Sequence, residues 1–340
     1  MSGAPRKEVL VAAMQDVRPL AGILRGVHFS DKKRATIAIS EEGLMVTVEY
    51  NKLLLASAYL FEQMFNEYTY TKPVLTDGEA EEGFSPILEI NLSLLLSALD
   101  VFGGAGLGSV IISDKDKVSK GRARRDDWDG NGMDRVEPDD RKKATAMRLT
   151  WLGKGHPLCL HLTDAPNVST VCELTTFEPD PAMDVPFDNG KVAARIIMKS
   201  SWLRDALSEI DPKSSKLTMI CTPPQAHGSN RGGKRKATFK LKAVGNLGTT
   251  TMDYPDDKDV LEVAEFRSEE PVSFTYPFEC IAKSVPALRN SLKTSLRIDS
   301  EGILSLQFMI PFRQHRMSKD KGVARSQNFI EFMCASLFDD

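Results

Sequence analysis

The amino-acid sequence predicts an α+β protein made of two similar halves, each with two helices packed on antiparallel β-sheet. Three observations predict it. Short strand-like runs dominate the chain, and only a few segments repeat apolar residues at helical spacing. The order strand, helix, strands, helix, strands also occurs twice, on either side of a proline-rich acidic stretch, which marks an internal repeat of about 170 to 190 residues. No long series of alternating strands and helices suggests a parallel sheet.

In chain order, EVLVAAM (8–14) reads as a strand. Asp16 then offers an N-cap, with Pro19 inside the first turn where its missing N–H costs little. Val17, Leu20, Ile23, Leu24 and Val27 form the apolar stripe of this first helix. RATIAIS and GLMVTVEY follow as a hairpin turning at Glu41–Gly43, and LLLASAYLF and FNEYTYTK add strands. ILEINLSLLLSALDVFG places Leu92, Leu95, Leu96 and Leu99 on one helical face. TAMRLTWLG, PLCLHLT and VSTVCELTTF complete this half as a meander.

Residues 176–190 carry Pro179, Pro181 and Pro186 among acidic residues, and proline both removes ladder donors and stiffens an extended chain. They read as an interdomain linker. The pattern then restarts with strand VAARIIMKS and helix SWLRDALSEI, whose Leu203, Ala206, Leu207 and Ile210 point inward. Strands LTMICT, ATFKLKAVG and TTTMDY lead to a last helix in PFECIAKSVPALRNSL, with Ile281, Val285, Leu288 and Leu292 on one stripe. SLRIDSEGILSLQFMIP is a hairpin and NFIEFMCASLF the final strand. Three polar insertions interrupt this plan, at 113–143, 223–236 and 312–327. The first holds nine acidic and ten basic residues among its 31, too little apolar content to offset its own ordering entropy, so disorder is expected there.

Composition excludes several classes. No apolar run approaches a membrane span, and MSGAPRKEVL lacks the apolar stretch of a signal peptide, so a cytosolic or nuclear compartment is expected. The five cysteines, at 159, 172, 221, 280 and 334, form no CxxC and read as reduced core thiols. Forty-four basic against 47 acidic residues give a net charge of −3, so any contact with nucleic acid must be local rather than a bulk charge effect.

Motifs that carry chemistry are incomplete. Asp127–Gly132 copies the first half of a calcium loop, but Pro138 stands where the bidentate Glu belongs, so a solvated turn is expected. Gly228–Arg235 resembles a phosphate loop with Arg235 in place of the magnesium-binding hydroxyl, and Gly103–Gly108 lacks the spacing of a dinucleotide loop. Asp299 and Glu301, with Asp253 and Asp211 as further acids, are the one carboxylate set suited to a metal-dependent 3′–5′ exonuclease. The sequence DSEG is nevertheless an ordinary hairpin turn. Cys159 and His161 share a strand face without a second ligand pair and read as core or rim residues. No cofactor or resident metal is expected.

The basic residues say more. Arg18 and Arg25 lie on the polar face of the first helix with Gly22 between them, a face that can approach a phosphate backbone. Lys199 and Arg204 open the first helix of the second half, and Lys283, Arg289 and Lys293 lie on or beside the polar side of its last helix. The helix at 91–102 exposes Ser93, Ser97 and Asp100 and has no Lys or Arg.

The segments GLMVTVEYNK, INLSLLLSALDVFG, GHPLCLHL, VSTVCELTTFEP, LRDALSEID, GNLGTTTMDYP and SLRIDSEGILSLQFMI stand in an order and spacing that resembles the Rad-one subunit family of the nine-one-one DNA-damage checkpoint clamp, relatives of the PCNA sliding clamp. The resemblance runs nearly end to end; the three polar insertions depart from it. It implies the DNA-clamp fold, with clamp domains at 1–175 and 191–340 joined by the 176–190 linker. It further implies one third of a heterotrimeric ring around double-stranded DNA with two other clamp subunits, an ATP-driven clamp loader, checkpoint and repair proteins as partners, a nuclear location, no membrane, and a chain that is not itself an enzyme. The helical cations Arg18, Arg25, Lys199, Arg204, Lys283, Arg289 and Lys293 would then face DNA. Subunits would join through edge strands carrying Val168, Thr170, Cys172 and Leu174 on one side and Thr249, Thr251 and Asp253 on the other. The isolated chain is expected to be a monomer, because its edges would be complementary to partners rather than to itself.

Overall fold

The computed structural model describes residues 8–72, 86–103, 144–165, 168–181, 183, 185–224, 237–246, 248–267, 270–311 and 328–337. The loop motifs at 127–132 and 228–235, the 103–108 motif beyond Gly103, and the three insertions apart from Pro223 and Pro224 lie outside the described residues.

The internal repeat is present, and the two halves match strand for strand. The first half runs β1 (Leu10–Met14), α1 (Arg18–Gly26), β2 (Arg34–Ile39), β3 (Gly43–Tyr50), β4 (Leu54–Phe61), β5 (Glu67–Tyr70), β6 (Ile87–Asn91), α2 (Leu92–Leu99), β7 (Ala146–Trp151), β8 (Leu158–Ala165) and β9 (Val168–Leu174). The second runs β10 (Val192–Lys199), α3 (Ser200–Glu209), β11 (Lys216–Thr222), β12 (Thr238–Gly245), β13 (Gly248–Pro255), β14 (Leu261–Phe266), β15 (Val272–Pro277), α4 (Phe278–Ala282), α5 (Val285–Arg289), β16 (Lys293–Asp299), β17 (Leu304–Ile310) and β18 (Asn328–Cys334).

Pairing repeats as well. The first half forms the strand orders β5-β1-β7-β8-β9 and β4-β3-β2-β6, and the second forms β14-β10-β16-β17-β18 and β13-β12-β11-β15. One pairing, β18 with β4, fuses a sheet from each half into nine continuous strands, in register from Phe329 opposite Tyr59 to Cys334 opposite Leu54. The Tyr59 and Phe329 rings stack at 4.2 Å across this joint.

Each half uses period-2 burial to set one sheet face against the helices. Along β10, Ala194, Ile196 and Met198 are buried while Arg195 and Lys199 are exposed, and α3 packs on β10 and β16. The helices also meet one another: α1 packs against α2 and α5, and α3 against α5. A Cβ on Gly26 would lie 3.3 Å from Ala287 Cβ and 2.5 Å from Ile330 Cδ1, so the bare backbone of α1 is what lets it seat on α5 and β18. All five residues of the α1 stripe, the four leucines of α2 and the four inward residues of α3 are buried.

Two expectations change. The last helix divides into α4 and α5 because Pro286, which lacks an N–H, sits at the start of a new helical turn. Leu292 therefore leaves the stripe and is 47% exposed. Strands β14 and β15 add to the expected set, since LEVAEF and VSFTYP alternate weakly and give little strand signal.

Candidate nucleic-acid interface and assembly edges

The seven cations fall into two groups. Arg18 leans back on Asp16, its Nε and Nη2 donating to the carboxylate at 2.7–3.0 Å. This hydrogen bond to Asp16 raises the guanidinium's pKa against the opposing effect of burial. Arg204 pairs with the adjacent Asp205 at 3.0 Å, and Lys293 with Glu262 at 2.5 Å. Lys293 also belongs to β16, where it stands opposite Lys199, and not to a helix flank. Lys283 lies 4.0 Å from the Tyr50 ring centroid, 5.5 Å from that of Phe29 and 3.3 Å from Asp31. Its side chain is only 19% exposed, so it ties α4 to the first half instead of standing out towards a ligand.

Arg25, Lys199 and Arg289 make no ion pair among the described residues. Arg25 is half-buried; Lys199 and Arg289 are exposed. They belong to α1, the N-cap of α3 and the last turn of α5, three elements brought into one layer by the helix packing. Gly22 is buried, so it is no gap in the polar face of α1. A residue run that helical periodicity passes over adds to this layer. Lys32 and Lys33 are exposed between α1 and β2, and the Lys33 carbonyl accepts from Leu92 N at the start of α2. The basic cluster DKKR at 31–34 was the available signal for them. On α2 itself Ser97 is exposed, Ser93 and Asp100 are half-buried, and Leu94 is 55% exposed.

Strands β9 and β13 are both sheet edges, as read. Val171 is 55% and Val168 50% exposed, whereas Leu174 points into its own core. On β13, Thr249, Thr251 and Asp253 face solvent, with Asp253 2.8 Å from Lys240. Of the other edges, β6 is bridged by Phe177 at Glu89 and β15 by Leu337 at Thr275, while β5 and β14 have no bridge among the described residues.

The carboxylate set behaves as turn chemistry. Asp299 is 1% exposed, and its Oδ1 accepts from the backbone N–H groups of Glu301 and Ile303 at 2.9 and 2.8 Å. The left-handed backbone at Gly302 (φ +82°) closes the same turn under Phe274. Asp211 accepts from Lys213 N in a turn of its own. Among the described residues, no group of three or more His, Cys, Asp or Glu could hold a metal ion. All five cysteines are free thiols; Cys221, Cys280 and Cys334 are buried, and burial pushes the Cys221 thiol up to about 12.

An α+β chain of two repeated halves, with helices layered on antiparallel sheets and open edges at corresponding places, has the architecture of a PCNA-like clamp subunit. The family model described as "Repair protein Rad1/Rec1/Rad17" matches residues 9–310, and the chain belongs to that family. It is 30% identical to the mouse (Mus musculus) "Cell cycle checkpoint protein RAD1", covering 88% of this chain and 86% of that one. The Schizosaccharomyces pombe "DNA damage checkpoint control protein rad1" is 29% identical, over 86% and 79%. The chain is thus a checkpoint clamp subunit of the DNA-damage response, acting in a complex with other subunits. One expectation falls. A Mycosarcoma maydis relative, 26% identical over 89% of this chain and 88% of its own, is named "DNA repair exonuclease REC1", so the flat statement that the chain is not an enzyme does not hold. No helix of the described residues is long and apolar enough to cross a membrane.

Proposed function

We propose that this chain is one third of a heterotrimeric ring around duplex DNA, set in place by an ATP-driven loader and serving in the nucleus as a scaffold for checkpoint and repair proteins. One observation carries the reading. In the repeat, β9 corresponds to β18 and β13 to β4, and β18 pairs with β4 inside the chain. The edge strands β9 and β13 are therefore copies of strands that already pair, and a neighbouring subunit on each side extends the same joint. The domains on this reading are 1–175 and 191–340, with 176–190 as the linker.

The helix layer then lines the hole. With a net charge of −3, the hold on DNA is topological, supplemented by salt-sensitive contacts from Arg25, Lys199 and Arg289, the helix-layer cations of the seven that make no ion pair among the described residues. The test is assembly with the two other clamp subunits followed by size-exclusion chromatography of wild type and Val171→Asp. The wild type enters a 1:1:1 complex and the variant loses one neighbour while staying folded; a variant that assembles normally removes β9 from the interface.

A second reading, a metal-dependent exonuclease, is supported by the name of the Mycosarcoma maydis relative. Asp299 is poorly disposed for it, since its carboxylate is buried and occupied by backbone donors. A magnesium-dependent nuclease assay with Asp299→Asn as control decides whether that pair contributes.

A further inference from the structure

On the sheet face of the second half that points away from the helices lies a recess of about 340 Å³ lined by Arg195, Arg267 and Arg297, with Glu265 the one carboxylate among its described lining residues. Its charge is built into the strand register. Arg195 on β10 stands directly opposite Arg297 on β16, a like-charge cross-strand pair. Such pairs destabilise a sheet unless something negative lies between or above them. Glu265 is opposite Arg195 on the other side and only 3.5 Å from it, which leaves Arg297 to Glu331 behind the recess, at 3.0 Å.

The guanidiniums are also held in place. Arg297 donates to Asn189 Oδ1 at 2.8 Å and Ser305 Oγ at 2.9 Å, and stacks 4.8 Å from the Phe187 ring centroid. Arg267 donates to the Gly190 carbonyl at 2.6 Å. The end of the segment before β10 thus fixes two of the three arginines. Arg297 Nε, moreover, is buried and has no acceptor among the described residues, although buried donors are almost always satisfied. Glu265 answers Arg195 and Glu331 answers Arg297, so among the described residues the recess keeps a surplus of one positive charge, that of Arg267, which makes no ion pair.

We propose that this recess binds a phosphate monoester carried by a partner polypeptide. A phosphoserine or phosphothreonine brings a charge of about −1.5 to −2 and three acceptor oxygens, enough to engage Arg267 and to compete with Glu265 for Arg195, and it suits fork-shaped guanidinium donors. A phosphodiester backbone supplies one charge per phosphate and no terminal dianion, and the helix layer lies on the opposite sheet face. The inference does not depend on the ring.

The test uses the full chain and fluorescent peptides of degenerate sequence around a fixed phosphoserine, beside their unphosphorylated counterparts. Phosphorylation should tighten binding by about tenfold or more, inorganic phosphate should compete, and Arg195→Gln with Arg267→Gln should abolish the difference with an unchanged melting temperature. Equal binding of the two peptides, or a difference that survives the double substitution, overturns the proposal, as does a short DNA duplex that competes as well as phosphopeptide. If the double variant unfolds, titrating wild type with phosphopeptide while following the Arg297 Nε–H resonance decides the matter. A saturable shift absent with the unphosphorylated peptide supports the site, and no shift overturns it.

Discussion

Lys283, at the end of α4, sits over the ring of Tyr50, at the end of β3, with its Nζ 4.0 Å from the ring centroid. The Tyr50 hydroxyl in turn donates to Glu279 one turn back along α4, and this hydrogen bond holds its pKa above the ordinary tyrosine value. The pair joins residues far apart in sequence, one from each half, so it fixes how the halves meet. Lys283→Ala should therefore cost roughly 1 kcal/mol of stability, from a lost cation–π contact and a partly exposed ion pair to Asp31. Denaturant unfolding measures it; an unchanged midpoint with weakened DNA binding would return Lys283 to the DNA-facing set.

The approach of α1 to α5 depends on Gly26. Gly26→Val should force its new carbons into Ile330 and Ala287 and cost about 1 to 3 kcal/mol, the usual range for overpacking. A thermal melt of the variant reads this, and an undiminished melting temperature would mean the helices are free to separate.

His28 connects the end of α1 to α2, its Nε2 lying 2.9 Å from Ser93 Oγ. Burial, then the neighbouring Arg25, hold its pKa below the ordinary value. The folded state thus binds its proton less readily than the unfolded chain, so the stability from His28 is full above the unfolded value near 6.5 and is lost as pH falls through the folded one. His28→Gln should flatten the loss of stability between neutral and mildly acidic pH. Unfolding midpoints across that window check it, and an unaltered slope contradicts it.

Among the seven cations, the three without ion pairs should matter most for DNA. Combined Arg25→Glu, Lys199→Glu and Arg289→Glu should weaken contact with duplex far more at low salt than at high salt. Reversal of Arg204 and Lys293, already neutralised by Asp205 and Glu262, should have the smaller effect. Salt-dependent titrations distinguish the sets, and equal losses would remove the distinction.

Periodicity made most of this fold legible. The stripes of α1, α2 and α3 and the strand meanders follow from side-chain spacing alone, and the edge position of β9 and β13 followed from the family resemblance. What spacing does not carry is partnership between distant residues. Nothing near Lys283 in sequence announces Tyr50, and nothing near Arg195 announces Arg297, because both relationships are made by sheet register and helix docking. The division of α4 from α5 is written in Pro286, although the apolar stripe runs on past it as if one helix continued. Asp299 shows the reverse: the turn composition around it outweighs its resemblance to a metal ligand, and its carboxylate holds the turn.

The most direct test of the account is topological. The chain is assembled with the two other clamp subunits, loaded on nicked circular DNA, and washed in salt high enough to screen Arg25, Lys199 and Arg289 before the circle is cut. A ring built through β9 and β13 stays on the closed circle and is released when the DNA is linearised. Equal retention on circular and linear DNA, or loss from both in the wash, would contradict encirclement.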